Sequence, residues 1–203
     1  MFISFDGVDG VGKSTQTELF VAWLREQGHS VVTCRDPGST ELGERLRNLV
    51  LKASDIKINA ESEMLLYMAA RAQLVSEVIQ PALEAGQYVI SDRFLLANVV
   101  YQGHAGGLNP QSIWDVGRIA TAGRQPDLTI VLDMPLEKAV GRIGRELDRM
   151  EAKGMEFLQR VREGFLAEAE GDPEQIKVIN ADQQIDEVQA DIRQAVRACI
   201  ESS

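Results

Sequence analysis

The sequence predicts an α/β fold in which a five-stranded parallel sheet is flanked by helices on both faces. Short apolar runs of strand length alternate with amphipathic stretches of helix length along the chain. Polar residues of unusual type follow directly after several of these apolar runs. A parallel sheet gathers such residues at the edge where its ligands bind, so the two observations agree on a three-layer α/β arrangement.

Five apolar runs have the length of strands, and they cover residues 2–6, 30–34, 87–91, 128–132 and 176–180. Their carboxyl ends are followed by residues that we expect to lie on one rim of the sheet: Gly7 to Ser14, Arg35, Asp92 and Arg93, Asp133, and Ala181 with Asp182.

Amphipathic stretches fill most of the intervals between these strands and are predicted to be helices. They cover about 13–27, 40–52, 61–85, 109–123, 135–147, 154–170 and 184–201. The sequence has no internal repeat, low-complexity tract or Pro/Gly/Ser-rich linker. We therefore expect residues 1–203 to form a single domain.

Composition narrows the class of protein. The 203 residues are 44% hydrophobic and 26% charged, which suits one globular domain. The net charge of -10 argues against nucleic acid or an anionic membrane as the main partner, because both favour basic surfaces. Cys34 and Cys199 are far apart and fit a reducing cytoplasm better than a disulfide framework or a zinc site.

No apolar run approaches the roughly 20 residues that a membrane-spanning helix needs. The first residues, MFISFDG, lead directly into a motif, so we expect no cleavable signal peptide. The expected location is the cytoplasm.

Residues 7–14, GVDGVGKS, match the phosphate-loop pattern G-x-x-x-x-G-K-[ST] between a predicted strand and a predicted helix. Lys13 would reach the β and γ phosphates of ATP, and the Ser14 hydroxyl would ligate Mg²⁺ together with Asp92. The residues predicted to bind ATP are Gly7, Val8, Asp9, Gly10, Val11, Gly12, Lys13, Ser14, Thr15 and, near the end of the chain, Ala181.

The loop does not by itself reveal what happens to the nucleotide. The sequence has no N-K-x-D motif of the kind that GTPases use for guanine, and no L-S-G-G-Q-like signature of transporter ATPases. A small kinase and a nucleotide-dependent regulatory module without turnover remain as alternatives.

Arginines point to a phosphate group as the acceptor. An acceptor phosphate has a second pKa of about 6 and needs no general base, and neither His29 nor His104 lies on the predicted rim. Arg35 and Arg93 each follow a strand, where a planar guanidinium suits bidentate phosphate binding. Arg71 lies one helical turn after Tyr67.

A second arginine set has helical spacing i, i+3, i+7 and would share one helix face: Arg142, Arg145 and Arg149. Glycines at positions 141, 144 and 154 punctuate and flank it. The pattern is typical of a lid, about 141–154, that closes over the transferred phosphoryl group. A charged solvent face, with the acidic residues interspersed there, explains the same spacing equally well.

Several stretches together resemble the bacterial thymidylate kinase family over nearly the whole chain. FDGVDGVGKST resembles its phosphate loop, and RDPGSTELGERLR its R-E-P-G-G-T-x-L-G-E stretch. EMLLYMAARAQLVSEVIQPALEAG resembles its thymine-side helix, and SDRFLLANVVYQG its D-R-[YH]…A-Y-Q-G stretch. PDLTIVLDMP and DRMEAKGMEFLQRVREGF resemble its fourth strand and lid.

The resemblance implies a P-loop kinase fold and an enzyme that phosphorylates dTMP to dTDP with Mg²⁺ and ATP, as a homodimer. It places Tyr67 against thymine, and it places Arg71, Asn98 and Gln102 on the side of the acceptor base. Tyr101 would exclude a 2′-hydroxyl. Arg35 and Arg93 would hold the acceptor phosphate, with Lys13, Arg93 and the lid arginines stabilising the transferred group.

The resemblance also gives a role to Asp9, a carboxylate inside a loop that binds anions. It lies where the family has a carboxylate that meets the sugar 3′-hydroxyl, so it would point away from ATP. A solvated loop residue is the alternative. Two departures concern the acceptor: Ser39 replaces a family glycine, and Leu96-Ala97-Asn98 replaces Asp-Ser-Ser. Another nucleoside monophosphate kinase therefore stays open as an alternative function.

Overall fold

The computed structural model describes residues 1–52, 56–144 and 153–202. Its sheet contains five strands, all parallel, in the order β2-β3-β1-β4-β5. The strands are β1 (Phe2–Asp6), β2 (Val31–Arg35), β3 (Tyr88–Asp92), β4 (Leu128–Asp133) and β5 (Ile176–Asn180). Each lies within one residue of its predicted bounds, so the predicted sheet is confirmed.

Helices cover both faces of the sheet. They are α1 (Lys13–Glu26), α2 (Glu41–Lys52), α3 (Ala60–Leu74), α4 (Gln80–Glu84), α5 (Leu95–Asn98), α6 (Pro110–Ala120), α7 (Leu136–Gly141), α8 (Met155–Gly171) and α9 (Ile185–Ser202). A π-helical turn at Val75–Ile79 joins α3 to α4, so the predicted helix 61–85 is continuous. Sequence-local caps begin two helices: the side chains of Asn59 and Asn109 accept hydrogen bonds from the Ser62 and Ser112 amides.

The core lies on both faces of the sheet because strand side chains alternate between them. On β1, Ile3 and Phe5 pack in one apolar cluster with Phe20 of α1 and Phe165 of α8. Phe2 packs in the other cluster, which α3 and α6 help to build. The sheet is therefore the middle layer of three, and it holds the carboxyl ends of its strands on one rim.

Two helix predictions were wrong. The predicted helices leave out the helical segment formed by α5 and the π-helical turn Val99–His104. Every residue from Leu95 to Gly103 is buried, and a helix enclosed on all sides lacks the polar stripe that makes helices recognisable. The helix predicted at 135–147 ends at Gly141, where Arg142 and Ile143 donate to carbonyls only three residues back.

Candidate active site

The phosphate loop leaves β1 and turns into α1 under tight steric limits. Gly7 and Gly10 have φ angles of 128° and 86°, which disfavour any residue with a Cβ. A Cβ at Gly7 would lie 2.4 Å from the Leu132 carbonyl oxygen, and one at Gly10 would lie 2.0 Å from that of Ala139. The loop is thus held against the end of β4 and against α7, so both glycines are required by packing.

Lys13 lies at the start of α1 with its ammonium group folded onto the loop. Its Nζ donates to the carbonyl oxygens of Gly7 (3.1 Å) and Val8 (2.8 Å) and to Oδ1 of Asp9 (3.1 Å). Lys13 is buried, and burial together with the nearby charge of Arg93 lowers its pKa. An anion that enters the loop therefore meets a cation already enclosed by it.

Asp9 faces two cations in the structure. The Nη2 atom of Arg93 donates to Asp9 Oδ1 at 2.8 Å, beside the Lys13 bond. Burial disfavours the charged form of Asp9, but the charges of Arg93 and Lys13 outweigh it and hold the pKa of Asp9 well below its ordinary value. A carboxylate in this loop is tolerated because it pairs with two cations, an arrangement that was not predicted from the sequence.

Arg93 is fixed from several sides. Besides Asp9, its guanidinium donates to the Gly7 carbonyl oxygen at 3.2 Å and the Tyr101 hydroxyl at 3.3 Å, and it lies 5.0 Å from the centroid of the Tyr101 ring. Its φ of 67° is rare outside glycine, and surrounding contacts must hold it there. Because these contacts fix both the backbone and the side chain of Arg93, its guanidinium is held between the phosphate loop and the rest of the cleft.

A cleft of about 840 Å³ opens beside this group. It brings together most residues that the sequence singled out: Asp9, Gly10, Val11, Gly12, Lys13, Ser14, Thr15, Arg35, Tyr67, Arg71, Asp92, Arg93, Asn98, Tyr101, Gln102, Arg142 and Ala181. Gly7 and Val8 are not in its lining, although their carbonyls hold Lys13. Arg145 and Arg149 lie outside the described residues.

Arg47 was not predicted from the sequence, although it also lines the cleft and donates to the Pro37 carbonyl oxygen at 3.0 Å. The signal was present, since Arg47 closes the stretch RDPGSTELGERLR. Gln183, Ile185 and Val188 were missed too, and they line the cleft near Ala181.

The end of the cleft farthest along the sheet from Ala181 is polar yet buried. Arg71 is 2% exposed and donates from Nε to Asp36 at 2.5 Å, and further to Phe94 O and Asn98 Oδ1, each at 3.3 Å. Arg71 was predicted to contact the acceptor base, and in the structure it also forms a buried ion pair with Asp36. Since the pair is fully enclosed, Arg71 is held in one position.

Arg35 and Ser39 form a small ion-paired loop. Arg35 Nη2 contacts both oxygens of Glu44, at 2.9 and 2.8 Å, while its side chain stays about half exposed. Ser39 adopts a φ of 62° and donates its amide to Glu44 at 2.8 Å. Serine thus accepts the left-handed backbone here, because its neighbours supply compensating hydrogen bonds. Arg35 reaches the cleft from this loop.

Arg142 lies just after α7 and lines the cleft. Arg142 caps α7, and residues 143 and 144 that follow it are not helical. The predicted lid positions Arg145 and Arg149 fall on residues that the structure does not describe.

Two carboxylates end neighbouring strands of the sheet, Asp92 on β3 and Asp6 on β1. Asp92 lines the cleft, and its Oδ1 has no hydrogen-bond partner among the described residues; Ser14 lines the same cleft and is exposed. A hydroxyl and an unpartnered carboxylate oxygen suit a hydrated Mg²⁺. Within 1–52, 56–144 and 153–202 there is no cluster of three or more His, Cys, Asp or Glu arranged for a metal.

Asp6, the last residue of β1, is fully buried, and neither of its oxygens finds a partner in the described ranges. Burial raises its pKa from 3.8 to about 7, although the charges of Arg93 and Lys13 oppose the rise. The folded protein therefore holds a proton between about pH 4 and pH 7 that the unfolded chain has released, so the free energy of unfolding should fall as the pH rises through that range.

We expect Asp6→Asn to remove much of this pH dependence, since the amide has the same shape and does not titrate. Between pH 5 and pH 8 the wild-type free energy of unfolding should fall by on the order of 2–3 kcal/mol more than that of the variant. Urea unfolding at several pH values measures it, with the exposed Asp186→Asn as the matched control. An identical pH dependence in Asp6→Asn and wild type would contradict the assignment.

The position of the loop and the composition of the cleft define the class of protein. A central strand, β1, feeds a glycine loop into α1, and the cleft beyond it holds one lysine and several arginines where two phosphate groups would meet. These are the features of a P-loop nucleotide kinase.

Comparison with known proteins narrows this class to one family. The family model "Thymidylate kinase" matches residues 5–192. Thymidylate kinases of Rhodopirellula baltica and Symbiobacterium thermophilum are each 45% identical to this chain, over 92% and 97% of it and 76% and 92% of their own lengths. The crystal structure of thymidylate kinase from Ehrlichia chaffeensis superposes with a TM-score of 0.79 at 31% identity, covering 97% of this chain and 98% of that one. The chain belongs to the thymidylate kinase family.

Proposed function

We propose that this protein transfers the γ-phosphoryl group of ATP to dTMP and releases dTDP and ADP. The observation that carries the proposal is that a single cleft joins the phosphate loop to a buried polar end built from Arg71, Asn98 and Gln102, with Arg93 between them. A donor phosphate and a nucleotide acceptor can thus meet in line beside one guanidinium. Membership of the family supports the same reading.

Catalysis rests on position and charge. The acceptor phosphate is already largely ionised at neutral pH, so no general base is required. Lys13 and Arg93 stabilise the negative charge that spreads over the transferred group, and fixed cations in an enclosed cleft do this without reorganising. Arg142, with Arg145 and Arg149, would close over the donor and exclude water.

On the donor side, the loop from Gly7 to Thr15 cradles the phosphates and the adenine lies near Ala181. Ser14 and Asp92 would hold Mg²⁺, which would supply positive charge to offset that of the donor phosphates. On the acceptor side, Arg35 and Arg93 hold the phosphate, Tyr67 stacks on the base, and Tyr101 packs against the sugar and disfavours a 2′-hydroxyl.

A coupled ADP-release assay with purified protein, Mg²⁺ and ATP tests the proposal across dTMP, dUMP, dCMP and AMP. We expect dTMP to give the highest kcat/KM. Comparable rates on another monophosphate would favour a different nucleoside monophosphate kinase. ATP binding without ADP release on any acceptor would favour a regulatory module.

Asp9→Asn tests the role of the loop carboxylate. A hydrogen bond from a 3′-hydroxyl to a carboxylate contributes on the order of 1.5–3 kcal/mol, so kcat/KM for dTMP should fall about 10- to 100-fold. The structure adds a second consequence: Lys13 and Arg93 lose a charged partner, which lowers activity on every acceptor.

The two contributions separate when 3′-deoxy-dTMP is the acceptor. We expect the loss on dTMP to exceed the loss on 3′-deoxy-dTMP by about tenfold, because only dTMP can make the bond. Equal losses on both acceptors would mean that Asp9 acts only by holding the two cations.

We also propose a homodimer located in the cytoplasm. Leu65 of α3 and Ile119 of α6 are 53% and 82% exposed, and the two helices pack against each other. Exposed apolar side chains on adjoining helices suit a subunit interface. Cys34 is a free thiol in the structure, as a reducing compartment favours. Light scattering should give twice the 22.4 kDa of one chain. No described helix is long and apolar enough to cross a membrane.

A further inference from the structure

Four polar side chains form a continuous buried chain at the acceptor end of the cleft. Arg71 Nη1 donates to Asn98 Oδ1 at 3.3 Å, Asn98 Nδ2 donates to Gln102 Oε1 at 2.5 Å, and Gln102 Nε2 donates to Glu63 Oε1 at 2.8 Å. The four residues are between 2% and 4% exposed. Enclosed polar groups of this kind hold one arrangement because breaking it leaves a buried group without a partner.

The ends of the chain give it a direction. A guanidinium can only donate, and a carboxylate can only accept. Glu63 lies in the first turn of α3, where the helix dipole favours a negative charge. Between such ends, each amide must turn its oxygen toward Arg71 and its nitrogen toward Glu63. A side-chain amide has nearly the same shape when flipped, so without these ends its orientation would be undecided.

The amide orientation decides what a ligand meets. Asn98 and Gln102 line the cleft, whereas Glu63 is not among the lining residues. Each amide uses one N–H and one lone pair in the chain, which leaves one of each for a ligand. A pyrimidine-2,4-dione offers a ring N–H beside carbonyl oxygens, whereas cytosine offers a ring nitrogen lone pair beside an amino group. Flipping an amide exchanges the positions of its donor and its acceptor, and this changes which of the two base edges it matches.

We propose that Glu63 is a positioning residue for base selection: by fixing the Gln102 amide it favours the imide edge of a pyrimidine-2,4-dione over the edge of cytosine. This inference rests on the proposed dTMP kinase function and names a residue through which its specificity is set. Glu63 does not touch the ligand in this account and acts only through Gln102.

The test is Glu63→Gln, which keeps the size of the side chain but can donate as well as accept. Gln102 can then flip, because the new side-chain amide can donate to the Gln102 oxygen. The flip gives up the bond from Asn98 Nδ2 to Gln102, whereas Arg71 still orients Asn98. We expect the ratio of kcat/KM for dTMP to that for dCMP to fall about tenfold, with the change mainly in KM for dTMP. The ratio of the two dissociation constants, measured by calorimetry, should fall by a similar factor. The KM for ATP should not change.

Two controls separate positioning from simple support of the fold. Glu61→Gln makes the same substitution at an exposed position in the same turn of α3 and should leave both ratios unchanged. In a Gln102→Ala background no amide remains to be oriented, so adding Glu63→Gln should not change the ratio further.

An unchanged dTMP-to-dCMP ratio in Glu63→Gln would overturn the inference, as would an equal loss with and without Gln102. A lower Tm with both ratios preserved would make Glu63 a structural residue of α3. These outcomes presuppose that the wild-type protein phosphorylates dTMP. If it does not, the proposed function fails first, and the wild-type assay alone shows this.

Discussion

Replacing Lys13 by alanine is expected to lower kcat by about 10³-fold while the protein stays folded. Lys13 carries the side-chain charge that the loop places against the donor phosphates. The substitution removes three contacts, with Gly7 O, Val8 O and Asp9, but Arg93 still donates to both Asp9 and Gly7 O. The chemistry should therefore suffer far more than the Tm. ADP release and thermal unfolding of the same preparation measure both.

Lys138→Ala is the matched control. Lys138 also pairs with a carboxylate, Asp182 at 2.7 Å, but its side chain is 58% exposed and lies outside the cleft lining. It should keep near-normal kcat. Near-normal turnover in folded Lys13→Ala would refute the kinase mechanism, and a lost fold in Lys13→Ala would mean that the lysine is chiefly a structural partner of the loop.

Arg93→Lys should lower kcat by about 10²-fold with little change in Tm. Lysine keeps the charge but not the planar fork that reaches Asp9, Gly7 O and the Tyr101 hydroxyl together. The transferred phosphoryl group would then lose one oriented hydrogen-bond donor. At other enzyme sites the loss of one such donor lowers kcat by about 10²- to 10³-fold. Steady-state kinetics and thermal unfolding again report the two quantities.

Arg162→Lys offers a stringent comparison, because Arg162 makes a bidentate pair with Asp133 at 2.7 and 2.8 Å outside the cleft lining. The same substitution breaks a guanidinium–carboxylate contact in both variants, bidentate at Arg162 and through Nη2 alone at Arg93. We expect similar changes in Tm and a loss of kcat only in Arg93→Lys. Should both variants keep full activity per folded molecule, Arg93 would be a scaffold residue like Arg162.

The sheet could be predicted from the sequence because its signals are local. An apolar run bounded by turn residues marks each strand whatever lies beside it in space, and all five were found. The phosphate loop is equally local, since its glycines and Lys13 are close along the chain. The helical segment Leu95–His104 was missed because other elements enclose it, and an enclosed helix has no amphipathic pattern. Its own residues do not show that it will be enclosed.

The members of the cleft were also largely predictable, because the carboxyl ends of parallel strands converge on one rim. Their partners were not. Asp9 meets Arg93 across 84 positions of sequence, Arg71 meets Asp36 across 35, and Gln102 meets Glu63 across 39. Whether an arginine faces a ligand or a buried aspartate depends on which side chains the packed layers bring within about 3 Å. Periodicity and motif spacing each describe one segment of the chain. They therefore carry no information about the distance between side chains on different segments.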